Sequence, residues 1–233
     1  MDAFSYTDIF DTKGIEYLVV IAFLLVIIPV WFLLSKPVKE KVLLERFVSG
    51  LSSRFLKIMP GLLYSRNHTW AHLHETGEAR IGVSDLLLHL TGGVSIEYLK
   101  KDGDHIHAGD EIAALSKDGK MLKIVSPVSG DILQVNRKIE HAHGIINTDP
   151  YGKGWMLKVR PGEWKKETSG FYLDKEAVSW SENELERCKD FLAEAVSGEP
   201  GQPVLLSGGE LVDFPLSDMP EDIWKQFQKK FLE

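Results

Sequence analysis

The sequence predicts a mainly β protein: a small β-sandwich or flattened barrel with a C-terminal helix, preceded by one transmembrane helix. Three observations carry this. Short apolar runs separated by Gly, Pro, Asn and Asp recur from Thr69 to Val159, the pattern of many short strands joined by turns. Asp118-Gly119 stands between two such runs, Glu111–Leu115 and Met121–Val125, and both residues tolerate the positive φ of a tight hairpin. Tyr17–Ser35 holds nineteen residues with no charge, about 28 Å as a helix and close to the thickness of a hydrocarbon core.

Residues 1–16 form a short segment with Asp2, Asp8, Asp11 and Glu16 against Lys13. The span 17–35 follows; Pro29 is tolerated in a membrane helix, and Tyr17 and Trp31 suit its interfaces. A cleaved signal peptide fits less well, because the leading segment is acidic and no small-residue cleavage site follows. Lys36, Lys39, Lys41 and Arg46 come after the span and only Lys13 before it. The positive-inside rule then predicts a single-pass protein of the plasma (inner) membrane, N-terminus out and main domain cytoplasmic.

Residues 36–64 read as an amphipathic juxtamembrane helix. Leu44, Phe47, Val48, Leu51, Phe55, Ile58, Met59 and Leu62 recur at helical spacing, and Pro60-Gly61 ends the run. The apolar face meets either the inner leaflet or the following domain.

The globular domain is expected over 65–196. Thr69–His74 and Glu78–Val83 read as strands, Leu86–Leu90 as a short helix capped by Ser84-Asp85, and Val94–Leu99 as an alternating strand. The 111–125 hairpin comes next, then the Ser126-Pro127-Val128-Ser129-Gly130 corner, a strand at Asp131–Val135 and a last one at Trp155–Val159. Ser181–Val196 reads as a helix, with Ser181 and Glu184 as a capping box and Leu185, Cys188, Leu192 and Val196 as its stripe. Residues 197–233 are a linker and tail. Within it, 220–232 could form a helix with Ile223, Phe227 and Phe231 on one face, either a docking peptide or a segment packed on its own domain.

The net charge of −7 argues against nucleic-acid binding, which needs clustered Lys and Arg. The single cysteine, Cys188, excludes an internal disulfide framework and reads as a partly buried bystander. No nucleotide-cradling glycine motif and no catalytic triad pattern is present.

His68-Thr69-Trp70, Ile81-Gly82-Val83-Ser84-Asp85, Pro127-Val128-Ser129-Gly130 and the run Asn147-Thr148-Asp149-Pro150-Tyr151-Gly152-Lys153-Gly154-Trp155 together resemble the H protein of the glycine cleavage system, over about residues 66–196. The resemblance implies the lipoyl-domain hammerhead and a lipoyl-bearing lysine at the hairpin tip. In that family the lysine stands eight residues before the proline of the PVSG corner; here 127 − 8 = 119, and residue 119 is glycine. Lys117 and Lys120 flank it, Lys120 being the better candidate for lipoyl attachment.

These observations lead to a carrier- or scaffold-type protein, not an enzyme. The first expectation is a membrane-anchored, non-lipoylated H-like module without a cofactor. It serves as scaffold in a membrane redox assembly, contacting protein partners through the hairpin tip, juxtamembrane helix or tail. The alternative is a working carrier with lipoate on Lys120. A third is metal binding through the His-x-His pairs His72/His74, His105/His107 and His141/His143, since i and i+2 share a strand face.

Overall fold

The structure is a computed structural model that describes residues 17–28, 56–142, 144–196 and 214–233. The chain divides into two compact units, Met1–Arg46 and Phe47–Glu233. In the first, residues 17–28 form a helix whose large apolar side chains are all exposed. The remainder of the predicted span, 29–35, lies outside the described residues. Among the described residues no helix is long and apolar enough to cross a membrane.

The second unit is mainly β. Its strands are β1 (Leu63–Tyr64), β2 (Thr69–Leu73), β3 (Ala79–Val83), β4 (Ser95–Tyr98), β5 (His105–Ile106), β6 (Glu111–Lys117), β7 (Lys120–Val125), β8 (Gly130–Val135), β9 (Leu157–Pro161) and β10 (Tyr172–Leu173). All pairings are antiparallel. One sheet runs in the order β10-β1-β2-β3-β9-β8-β5 and a smaller one in the order β4-β6-β7. Alternation explains the layers: Ala79, Ile81 and Val83 of β3 and Leu122 and Ile124 of β7 are buried, whereas Met121 and Lys123 are exposed.

The helices are α1 (Asp85–Thr91), α2 (Lys138–His141), α3 (Gly144–Thr148), α4 (Trp164–Glu167), α5 (Asp174–Val196) and α6 (Glu221–Phe227), the last continued by a wider π turn over Gln228–Leu232. Three local differences from the sequence reading have clear causes. Most of the expected juxtamembrane helix lies outside the described residues. Its end is not helical: residues 56–62 lack regular helix, and Leu63–Tyr64 is a strand paired on both sides, with Ala71-Trp70 and with Leu173-Tyr172. Apolar spacing alone could not see those partners. Helix α5 begins at Asp174, directly after β10, so Ser181 is buried inside the helix instead of capping it. Ser84 makes no side-chain cap bond to α1; Asp85 instead accepts the Lys57 amide at 2.8 Å and lies 3.3 Å from His89 Nε2.

The core is one large apolar cluster between the layers, plus a smaller one of Leu62, Tyr64, Trp70, Ala177 and Trp180. Residues 214–233 belong to the large cluster: Leu216, Met219, Ile223, Trp224, Phe227, Phe231 and Leu232 are all buried in it. The tail is therefore packed on its own domain.

Candidate functional site

The β6–β7 hairpin closes on a two-residue turn. Lys117 pairs with Lys120, and Asp118 and Gly119 take φ of 50° and 80°, the double left-handed conformation of a type I′ turn. A Cβ on Gly119 would meet nothing within 4 Å, so this position has open space but a backbone that disfavours a side chain.

Neither neighbouring lysine projects freely. Lys117 Nζ donates to the Thr91 carbonyl at 3.3 Å, at the C-terminal end of α1, and lies 6.0 Å from the centre of the Phe214 ring. Lys120 Nζ donates to the Met219 carbonyl at 3.0 Å and to the Ser217 carbonyl, and sits 5.4 Å from the Trp224 ring centre. A cation over an indole face gains from the ring quadrupole. The carbonyls and the ring all come from the C-terminal segment.

That segment is fastened along its length. The Phe214 and Leu216 amides donate to the His89 and Leu90 carbonyls at 3.1 and 3.0 Å. The Trp224 indole N–H donates to Leu216 O at 2.6 Å. Gln228 meets the outer edge of β7 with both ends of its amide: Oε1 accepts the Lys123 N–H at 2.8 Å, and Nε2 donates to the Lys123 carbonyl at 3.3 Å. Asn67 Nδ2 donates to Leu232 O at 2.8 Å. Phe227 stacks on Phe231 at 4.6 Å, and Phe191 of α5 packs edgewise on Phe231 at 5.5 Å. Sequence reasoning found Ile223, Phe227 and Phe231 as a stripe. It left Trp224 off that stripe and missed Gln228; both take their roles from the hairpin opposite.

Several residues of the sequence motifs meet one another away from the hairpin tip. Tyr151 OH accepts the Asp85 amide at 3.1 Å, and its ring packs against Trp70 and Tyr64; burial raises the pKa of both tyrosines. Asp149 accepts the Gly152 and Lys153 amides, each at 2.9 Å, and so closes its own turn. A Cβ on Gly82 would lie 2.5 Å from the Trp70 indole, so only glycine lets β3 approach that ring. His68, fully buried at φ 56°, places Nε2 3.4 Å from Glu184 Oε1, and Arg187 lies 2.6 Å from the other carboxylate oxygen. Burial pushes the Glu184 pKa up, but His68 and Arg187 outweigh it and hold the carboxyl below its usual value. These motif residues build the fold; none lies at the hairpin tip.

The histidine pairs are close within each pair, with ring centres 4.7 Å apart for His72/His74 and 5.1 Å for His105/His107. His143 is outside the described residues. Among the described residues no group of three or more His, Cys, Asp or Glu is arranged to hold a metal ion. Cys188 is wholly buried, and burial pushes its thiol pKa up, which makes it an inert packing residue.

The family model described as Glycine cleavage H-protein matches residues 62–184. The glycine cleavage system H protein of Coprothermobacter proteolyticus is 34% identical over 104 residues, covering 45% of this chain and 82% of that protein. The mitochondrial glycine cleavage system H protein 3 of Arabidopsis thaliana is 32% identical over 128 residues, covering 55% of this chain and 75% of the relative. Among solved structures, a glycine cleavage system H protein from Mycobacterium marinum aligns with a TM-score of 0.46 and 22% identity, over 54% of this chain and 99% of its own.

Proposed function

The chain belongs to the glycine cleavage H-protein family, and on that premise we propose that it is a membrane-anchored H-like module that works by binding protein partners, without lipoate on its hairpin. Like the family's H proteins, which are carriers and not catalysts, it is not itself an enzyme. The observation that carries the reading is the state of Lys120: its ammonium is bonded to the Met219 and Ser217 carbonyls of its own chain. A swinging arm needs a side chain free at an exposed apex. Gly119 offers none, and Lys117 and Lys120 are both engaged, so the tip as it stands does not fit a lipoyl group. The same face leaves the hairpin and tail as one continuous surface for a partner subunit of a membrane redox assembly.

The anchor is residues 17–35, uncharged and followed by Lys36, Lys39, Lys41 and Arg46. This favours a single pass in the plasma (inner) membrane, N-terminus out and residues 65–196 in the cytoplasm. Protease added outside intact cells is expected to leave 65–196 whole; its digestion would overturn the topology.

A second reading has its own support. The relatives are H proteins, whose family carries lipoate on a hairpin lysine, and Lys120 is next to the matching position. Intact mass of the protein from its native cells, with peptide mapping across Ala113–Lys123, separates the two. An unmodified hairpin, in cells where other proteins are lipoylated, supports the binding module. A lipoyl adduct on Lys120 or Lys117 makes it a tethered carrier.

A further inference from the structure

We propose that the C-terminal segment, residues 214–233, is an in-chain cap that withholds the Lys120 amine from acylation, so that this lysine becomes modifiable only when the segment leaves the hairpin. The inference deepens the reading of the hairpin as non-carrying and rests on it.

Acyl transfer to a lysine needs the amine nitrogen to reach the donor's carbonyl carbon along a free lone-pair direction. A new C–N bond forms, the bond to the leaving group breaks, and the amine proton passes to solvent. At Lys120 the approach is taken. Two directions of Nζ end on the Ser217 and Met219 carbonyls, and the Trp224 ring covers a third side. Lys117 is held on the other flank of the turn, at the Thr91 carbonyl and near Phe214.

The cap does not depend on the lysine alone. Backbone bonds to His89 and Leu90 fix its start, Gln228 locks it in register on β7, and Asn67 holds its end. The carbonyls that face Nζ are therefore set by the packing of the whole segment. Seventeen residues, 197–213, join it to α5 in sequence, so a displaced cap stays tethered to its own domain. Strand β7 is the edge of the smaller sheet, and the cap shields the Lys123 N–H and C=O on that edge as well.

The test is lysine reactivity. The full chain, with a protease site inserted between residues 204 and 205, is treated with N-hydroxysuccinimidyl acetate, and acetylation of each lysine is followed by peptide mass. In the uncut chain Lys120 is expected to react about tenfold more slowly than exposed Lys138, the protection of a group that reacts only on local opening. Cutting and removing the segment should raise Lys120 to the Lys138 rate, and added 214–233 peptide should restore protection. Should the cut domain lose its circular dichroism signal, Gln228→Ala in the uncut chain is the second readout. It loosens the register on β7 without touching the core, and should speed Lys120 severalfold while Lys138 stays constant. Equal rates at Lys120 and Lys138 in the uncut chain would overturn the cap, as would a Lys120 rate indifferent to both changes. The two readings fail separately. A lipoyl adduct in native cells ends the non-carrying reading, and the cap then survives as the control on loading if unmodified protein still shows slow, segment-dependent Lys120. Fast Lys120 without any native adduct ends the cap alone.

Discussion

At the scale of single residues, the hairpin tip and the buried Glu184 carboxylate behave differently from what their neighbours in sequence suggest. Gly119 sits at φ 80° with open space around it, beside a groove of about 560 Å³ that Met121 and Lys123 also line. Gly119→Lys should therefore fold, at a penalty of about 1–2 kcal/mol for the left-handed backbone. It should place a lysine in the carrier register: incubation with a lipoate ligase and mass mapping are expected to find the adduct on residue 119. Labelling of Lys120 in preference to the new lysine would contradict the register argument. Glu184 is a buried acid-sensitive group. Its carboxyl titrates below the usual 4.5 when folded, so its contribution is fully present above about pH 4.5 and is lost as pH falls through the lowered folded value. Glu184→Gln removes the carboxylate that pairs with the half-exposed Arg187 guanidinium and should cost about 1 kcal/mol at neutral pH. Urea midpoints from pH 7 down to pH 3 should show a flatter acid limb in the variant; parallel limbs would mean that other carboxylates set it.

At the scale of elements, contacts across layers decide which spacing signals were true. β3 passes so close to Trp70 that Gly82→Ala would overpack the pair and destabilise by about 1–3 kcal/mol. Thermal melting checks this, and a change within experimental error would show that the indole can move aside. α6 and the π turn after it carry the aromatic side chains that cover β7. Phe227 is wholly buried, so Phe227→Ala should lower stability by about 3–5 kcal/mol, a cost far above that of an exposed tail residue. An unchanged denaturation midpoint would mean that the segment does not dock in solution. Gln228 extends the same element's role: its amide stands in for a neighbouring strand at Lys123, which protects an edge that would otherwise be open to pairing.

At the scale of the whole molecule, the second unit is one fold with two ends of different character. On one side, Tyr151 joins Trp70 by ring contact and Asp85 by a hydrogen bond, and Glu184, midway along α5, meets His68 and Arg187; these contacts hold the fold. Around the hairpin, the C-terminal segment supplies the partners. Deleting residues 210–233 should therefore do more than free a docking peptide: it should expose Phe191 and the edge of β7, and size-exclusion chromatography is expected to show self-association. A monodisperse truncated protein would contradict this.

The sequence by itself determined the β class, the place and type of the hairpin turn and the family. Those are written in local chemistry: alternation, Asp-Gly tolerance of positive φ, and a run such as Asn147–Trp155 whose turn is closed by its own Asp149. It also places Gly119 eight residues before Pro127, which is a matter of counting. The tertiary structure alone decided what the tip lysines and the tail do. Ser217, Met219 and Trp224 follow Lys120 by 97 to 104 residues in the chain, and periodicity reports which face of an element is apolar without naming what that face meets. The same limit explains β1. Its two residues lie at the end of a segment that the sequence reads as helix, and they form a strand only because β2 and β10 bond them on either side.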